Sequence, residues 1–136
     1  MKYELAKDIN KQVKFLVNSL SLNYIKTKNI HCIRSFDAKT RAYARIWGMA
    51  KLFSEVAGLE PHYIIEVVSK RFDKLTEREK MKTLIHELLH IPKTFSGALL
   101  DHHHPSAPVN HSRTMQLWKD YKRKKELLRN QGAPEE

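Results

Sequence analysis

Two histidines and a glutamate stand at metal-site spacing in Thr83-Leu84-Ile85-His86-Glu87-Leu88-Leu89-His90-Ile91-Pro92. Residues four apart in a helix lie one above the other on one face, so His86 and His90 would present two imidazoles to a single cation. Glu87 is turned by about 100° from His86, near enough to hydrogen-bond a water on that cation without ligating it. This His-Glu-x-x-His pattern is how zinc hydrolases grip the metal while keeping a carboxylate for proton transfer. The neighbours Leu84, Ile85, Leu88, Leu89 and Ile91 are apolar. They place the helix in a core, where two histidines and a glutamate need partners. A metal supplies one.

Hydrolytic zinc takes three protein ligands and leaves the fourth position to water. Six of the eight histidines lie between His86 and His111, so the supply of a third ligand is local. The chain turns at Pro92, and the loop Asp101-His102-His103-His104-Pro105 is placed to bring one back. His102 is the first choice, followed by His104, His111 and His103. A carboxylate ligand from Glu126 or Asp120 ranks below these. With Zn²⁺ on His86, His90 and His102, Glu87 is the expected general base, taking a proton from the attacking water and passing it to the leaving amine. His103, His104, Arg113 and Tyr121 are the donors available to a developing oxyanion.

The elements that must position these groups can be read in outline. Leu5, Ile9, Val13, Leu16, Val17 and Leu20 recur at helical spacing, which predicts an amphipathic helix from about Lys2 to Leu20. A polar, turn-like stretch from Asn23 to Asn29 precedes a short strand, Ile30-His31-Cys32-Ile33-Arg34. Ser35 to Lys39 make a turn, and the alternation from Ala42 to Trp47 predicts a second strand, with a helix over Arg41 to Gly48 as its competitor. Met49 to Val56 reads as a helix packing Leu52, Phe53 and Val56 and capped by Gly58. His62 to Val68 is the most strand-like run, rich in β-branched and aromatic residues. A strand just before the motif helix matters for a peptidase, because a nearby sheet edge holds an extended peptide by main-chain pairing.

Thr76 and Glu79 form a capping-box signature at the start of the motif helix. Pro92 is expected to end it. Beyond Pro92, residues 93–100 read as a loop able to fold over the metal, and residues 101–108 as a loop by their breakers. A last helix runs from Val109 or Asn110 to about Arg129, capped by Asn110 or Ser112, with Met115, Leu117, Trp118, Tyr121 and Leu128 as packing residues. Gln131 to Glu136 reads as a frayed tail. The expected class is α+β, a short mixed or antiparallel sheet packed against helices with the motif helix in the core.

The composition sets the remaining bounds. A length of 136 residues suits one domain spanning the chain, 1–136. Cys32 is the sole cysteine, so no disulfide framework or cysteine zinc knuckle forms within one chain, and a cytoplasmic, reducing location is expected. The first residues are charged, without the apolar core of a signal peptide, and no run is long enough to span a membrane. A net charge of +10 makes acidic partners, nucleic acid foremost, electrostatically plausible, although a solvated cationic face is the commoner reason for such a charge.

The run His86 to Gly97, together with Tyr63-Ile64-Ile65-Glu66-Val67, Phe72-Asp73-Lys74-Leu75 and Val109-Asn110, resembles a metallopeptidase family of archaea and phages, a compact zincin branch. The resemblance covers more than half of the chain. It implies a small zincin-like fold, zinc on His86 and His90, catalysis by Glu87, and a peptide or protein substrate. Relatives carry a histidine after the Phe-Ser-Gly segment, in the neighbourhood of His102. A more distant similarity to SprT-like proteases, which act on proteins bound to DNA, rests on the motif, a later histidine and the basic tail. The second reading is therefore a nucleic-acid-associated protein, either such a protease or a non-catalytic binder in which zinc only staples the fold.

Overall fold

In the computed structural model, which describes residues 1–102 and 109–131, four strands form one mixed sheet. They are β1 (Tyr3–Leu5), β2 (Ile30–Ser35), β3 (Ala44–Trp47) and β4 (Tyr63–Val68), in the spatial order β1-β2-β4-β3. The inner strands β2 and β4 are parallel, with Cys32 opposite Ile65, while β1 and β3 flank them antiparallel. Five α-helices and a short 3₁₀ helix (Thr27–Asn29) accompany the sheet among the described residues, the α-helices being α1 (Lys7–Ser19), α2 (Lys51–Ala57), α3 (Ser69–Phe72), α4 (Glu77–Leu88) and α5 (His111–Asn130).

The two-residue period of the strands divides the sheet into unlike faces. Ile30, Cys32, Tyr63, Ile65 and Val67 point into the main core, where they meet Ile9, Val13 and Leu16 of α1 and Leu84, Ile85 and Leu88 of α4. Each such side chain, fully buried, contributes about 1.5–3 kcal/mol relative to an exposed one. The opposite face carries His31, Ile64 and Trp47 at the surface. Between them lies Glu66, wholly buried, accepting hydrogen bonds from Ser35 Oγ at 2.6 Å, Arg45 Nε at 2.8 Å and Trp47 Nε1 at 3.0 Å. Burial alone would raise the Glu66 carboxyl. The three donors and the Arg45 charge outweigh it and hold the group below its ordinary value.

Several expectations from the sequence are corrected here. The expected first helix divides: Tyr3–Leu5 is a strand, and the helix begins at Lys7. The backbone of these residues finds partners in Ile33 to Ser35, a distant pairing that local periodicity does not reveal, and Leu5 is left exposed. Helix α2 forms and ends at Gly58 in the left-handed region (φ 65°), but Leu52, Phe53 and Val56 are exposed and only Ser54 is buried. The strand over Ala44–Trp47 prevails over the competing helix because it pairs with β4. That pairing makes β4 an inner strand, so the edge on this side is β3.

In α5, Asn110 caps by accepting from the Arg113 backbone N–H at 2.8 Å, and Leu117 and Tyr121 are buried, whereas Leu128 is exposed. No helix among the described residues is long and apolar enough to cross a membrane. Cys32 is a buried free thiol, which burial and, after it, the charge of Asp8 push up to about 12.

Candidate metal centre

Helix α4 starts where its sequence dictates. The Thr76 hydroxyl accepts from the Glu79 N–H, and the Glu79 carboxylate accepts from the Thr76 N–H, so both halves of the capping box are made. Met81, Leu84, Ile85 and Leu88 give it a buried stripe that fixes its rotation against the sheet. This rotation sets His86, half-buried, and Glu87, 6% exposed, at its C-terminal end.

The helix stops earlier than expected. Its last α-type bond runs from Leu89 N–H to Ile85 O; His90 N–H and Ile91 N–H then bond to Glu87 O and Leu88 O, three residues back, at 3.1 Å each. Pro92 has no N–H to extend the ladder and disfavours helical geometry at Ile91, and the final turn tightens before it. His90 thus lies just beyond α4 but remains beside His86, with ring centroids 5.2 Å apart.

A loop returns to this point after Pro92. Its course is fixed by Gly97, whose φ of 94° suits a residue without Cβ. Gly97 O accepts from Met49 N–H at 2.8 Å, and Gly97 N–H donates at 2.8 Å to the hydroxyl of buried Tyr63, which in turn donates to Ala98 O at 2.8 Å. Leu100 N–H then donates to His90 O at 2.7 Å. The Leu100 carbonyl lies 2.7 Å from His90 Nδ1. A carbonyl only accepts, so His90 carries its proton on Nδ1 and keeps Nε2 as a free lone pair, the tautomer a metal requires.

The same loop delivers His102. Its Nε2 stands 2.8 Å from His86 Nε2, and its ring centroid is 4.4 Å from that of His90. One nitrogen from each of His86, His90 and His102 falls within 4.8 Å of the others. Tetrahedral zinc with nitrogens at 2.0–2.1 Å holds them about 3.4 Å apart, so three imidazole donors at this spacing fit a metal with small side-chain adjustment. Burial, with the neighbouring His90 and His102 adding to it, holds His86 down to about 4, and burial also lowers His90. Both rings are therefore neutral at pH 7, as ligation requires. Burial pushes the Glu87 carboxyl up to about 8.

The trio opens into a cavity of about 820 Å³, bordered by Ala42 to Ile46 on the β3 side, by Leu75, Lys82 and Thr83 on the α4 side, and by Leu99 and Leu100. Among the described residues only His86, His90 and His102 assemble as a metal-binding group. His103 and His104 lie outside the described residues. His111 is exposed at the first turn of α5, and Asp120 is paired with Arg123 at 3.4 Å. Glu126 and Tyr121 line a different cleft, and Arg113 bonds to Gln116 at 2.9 Å without reaching the cavity lining. Neither Arg113 nor Tyr121 is thus placed for the oxyanion role.

Sequence reasoning missed the supports. Nothing in a strand that begins with tyrosine announces that its hydroxyl will hold a loop thirty-odd residues away. It also missed a second histidine pair, His31 and His62, which the alignment of β2 and β4 brings to 2.9 Å on the surface. Comparison with curated proteins and with solved structures finds no match. A family model does match, over residues 1–125, a span that takes in the sheet, α4, the returning loop and most of α5: the chain belongs to the family described as "Putative phage metallopeptidase".

Proposed function

We propose that the protein is a zinc-dependent peptidase, a small zincin-like domain spanning 1–136, in which His86, His90 and His102 hold Zn²⁺ and Glu87 is the general base. The observation that carries this reading is the convergence of three imidazole nitrogens beside a buried carboxylate at the mouth of an open cavity. Bound zinc would supply Lewis acidity, lowering the pKa of a water toward 7 and polarising a carbonyl. Glu87 accepts the proton of the attacking water and returns it to the leaving amine, and its place in the cavity lining, one residue from His86 at the end of α4, suits both tasks. His90 is oriented by Leu100, whose carbonyl holds the Nδ1 proton.

The substrate reading follows from the sheet edge. Among the described residues strand β3 pairs on one side only, with β4, and residues 42–46 border the cavity, so its outer backbone groups are available to an extended peptide chain. Ile46, Leu75, Leu99 and Leu100 offer apolar contact to a substrate side chain.

The test is Glu87→Gln against a mixed peptide library read by mass spectrometry, with zinc content measured in parallel. The variant should retain zinc and lose hydrolysis by about 10²–10⁴-fold, the range for removing a general base. Cleavage at the parent rate would overturn the role of Glu87. Failure of the parent protein to bind zinc would overturn the reading as a whole.

A further inference from the structure

On the other side of α4 lies a second cleft, of about 550 Å³, between α1, the first turns of α4, and α5. Leu75, Glu79, Lys82, Thr83 and His86 turn toward the metal cavity, whereas Glu77, Arg78 and Met81 turn toward this one. Two features of the cleft belong to different chemistries and coincide. It is aromatic: Phe15, buried Tyr121 and half-buried Trp118 line it, with Phe15 edge-on to Tyr121 at 5.8 Å and Trp118 tilted against Tyr121 at 5.8 Å. And it is rimmed by cations.

The rim carries Lys11, Arg78, Lys122, Lys125 and Arg129. Of the acids beside them, Asp8 is bound by both terminal nitrogens of Arg34, at 2.9 and 3.2 Å, and Glu77 lies 3.7 Å from Lys80, which leaves Glu126 as the main counterweight. Helix α5 alone has seven Lys or Arg against two Asp or Glu, so half of the chain's net charge of +10 sits on these 20 residues.

A solvated cationic face does not need a half-exposed ring such as Trp118 beside it. An acidic peptide would use the cations and leave the rings idle. An unpaired nucleotide uses both: its base stacks on an aromatic ring, and the phosphates of its strand meet the lysines and arginines. We propose that this cleft binds single-stranded nucleic acid, with a base against half-buried Trp118 and the strand's phosphates along Lys122 and Lys125. The site is separate from the metal centre, and its occupancy does not depend on zinc or on Glu87.

The experiment uses the full chain with a short oligodeoxyadenylate strand, the same strand in duplex form, and inorganic polyphosphate. Binding is read by anisotropy of labelled strand and by tryptophan fluorescence in Trp47→Phe, which leaves Trp118 as the reporter. The single strand should quench Trp118 saturably, and its affinity should fall by about 50-fold between 50 and 200 mM salt, as expected when about four phosphates are neutralised. The duplex and polyphosphate should leave Trp118 fluorescence unchanged. Lys122→Glu with Lys125→Glu, helix content verified by circular dichroism, should weaken the single strand at least about tenfold. Absence of binding, binding of the single strand without Trp118 quenching, or insensitivity to the double reversal each overturns the proposal. Glu87→Gln should bind the strand as the parent does, so loss of peptidase activity and failure of this site are told apart.

Discussion

Replacing Tyr63 by Phe removes one oxygen atom and tests how the third histidine is held. The ring stays wholly buried against Phe95, centroids 5.0 Å apart, so packing is retained. What is lost is a hydroxyl that accepts from Gly97 N–H and donates to Ala98 O, both at 2.8 Å. Gly97 is buried, so its N–H is left without an acceptor, at a cost of about 1–3 kcal/mol. Ala98 is exposed, and its carbonyl recovers a water, so the sum stays near 2 kcal/mol. With an unfolding entropy of about 2.1 cal/mol/K per residue over 136 residues, this lowers Tm by about 7 °C. The anchored loop is the one that carries Leu100 and His102 to His86 and His90, so zinc affinity should fall as well, by about 10–100-fold, the range for outer supports of metal ligands. Differential scanning calorimetry of the metal-free protein gives the first quantity, and competition with a metallochromic chelator gives the second. A Tm shift of the expected size with undiminished zinc affinity would refute the view that Tyr63 positions the metal loop. No change in either would refute the hydrogen-bond argument itself.

Gly97→Ala should be more damaging, because a Cβ at that position meets Met49 O at 2.3 Å and the φ of 94° disfavours any side chain. We expect more than about 3 kcal/mol of destabilisation by urea unfolding together with loss of zinc binding, since relief requires moving the strap between Met49 and the loop. Glu66→Gln tests the buried charge on the opposite sheet face and should cost about 1–3 kcal/mol at pH 7. The folded-state value of Glu66 is depressed, so its contribution is fully present above the ordinary glutamate value of 4.5 and is lost as pH falls through the lower folded value. The gap between variant and parent urea midpoints should therefore narrow on acidification below that point; a gap independent of pH would contradict the assignment.

The sequence determined what is local. The capping box at Thr76 and Glu79, the apolar stripe of α4, the Asn110 cap and the glycine stop after α2 each depend on neighbours within a few residues, and each is found where the pattern puts it. The spacing of His86 and Glu87 belongs to the same class, whereas His90 lies just past α4 and reaches His86 through the tightened turn before Pro92. His102 was legible only as one of a cluster of histidines: the choice among them depends on how far the loop travels after Pro92. That distance is set by Gly97 against Met49, Tyr63 against Gly97 and Leu100 against His90. Tertiary structure alone decided that Tyr3–Leu5 would be a strand, that β3 rather than β4 would be the edge beside the cavity, and that Leu52, Phe53 and Val56 would face outward. The physical reason is common to these cases: strand pairing and side-chain burial are settled by groups distant in the chain, whose free energy of contact exceeds the small differences in local propensity that a sequence displays.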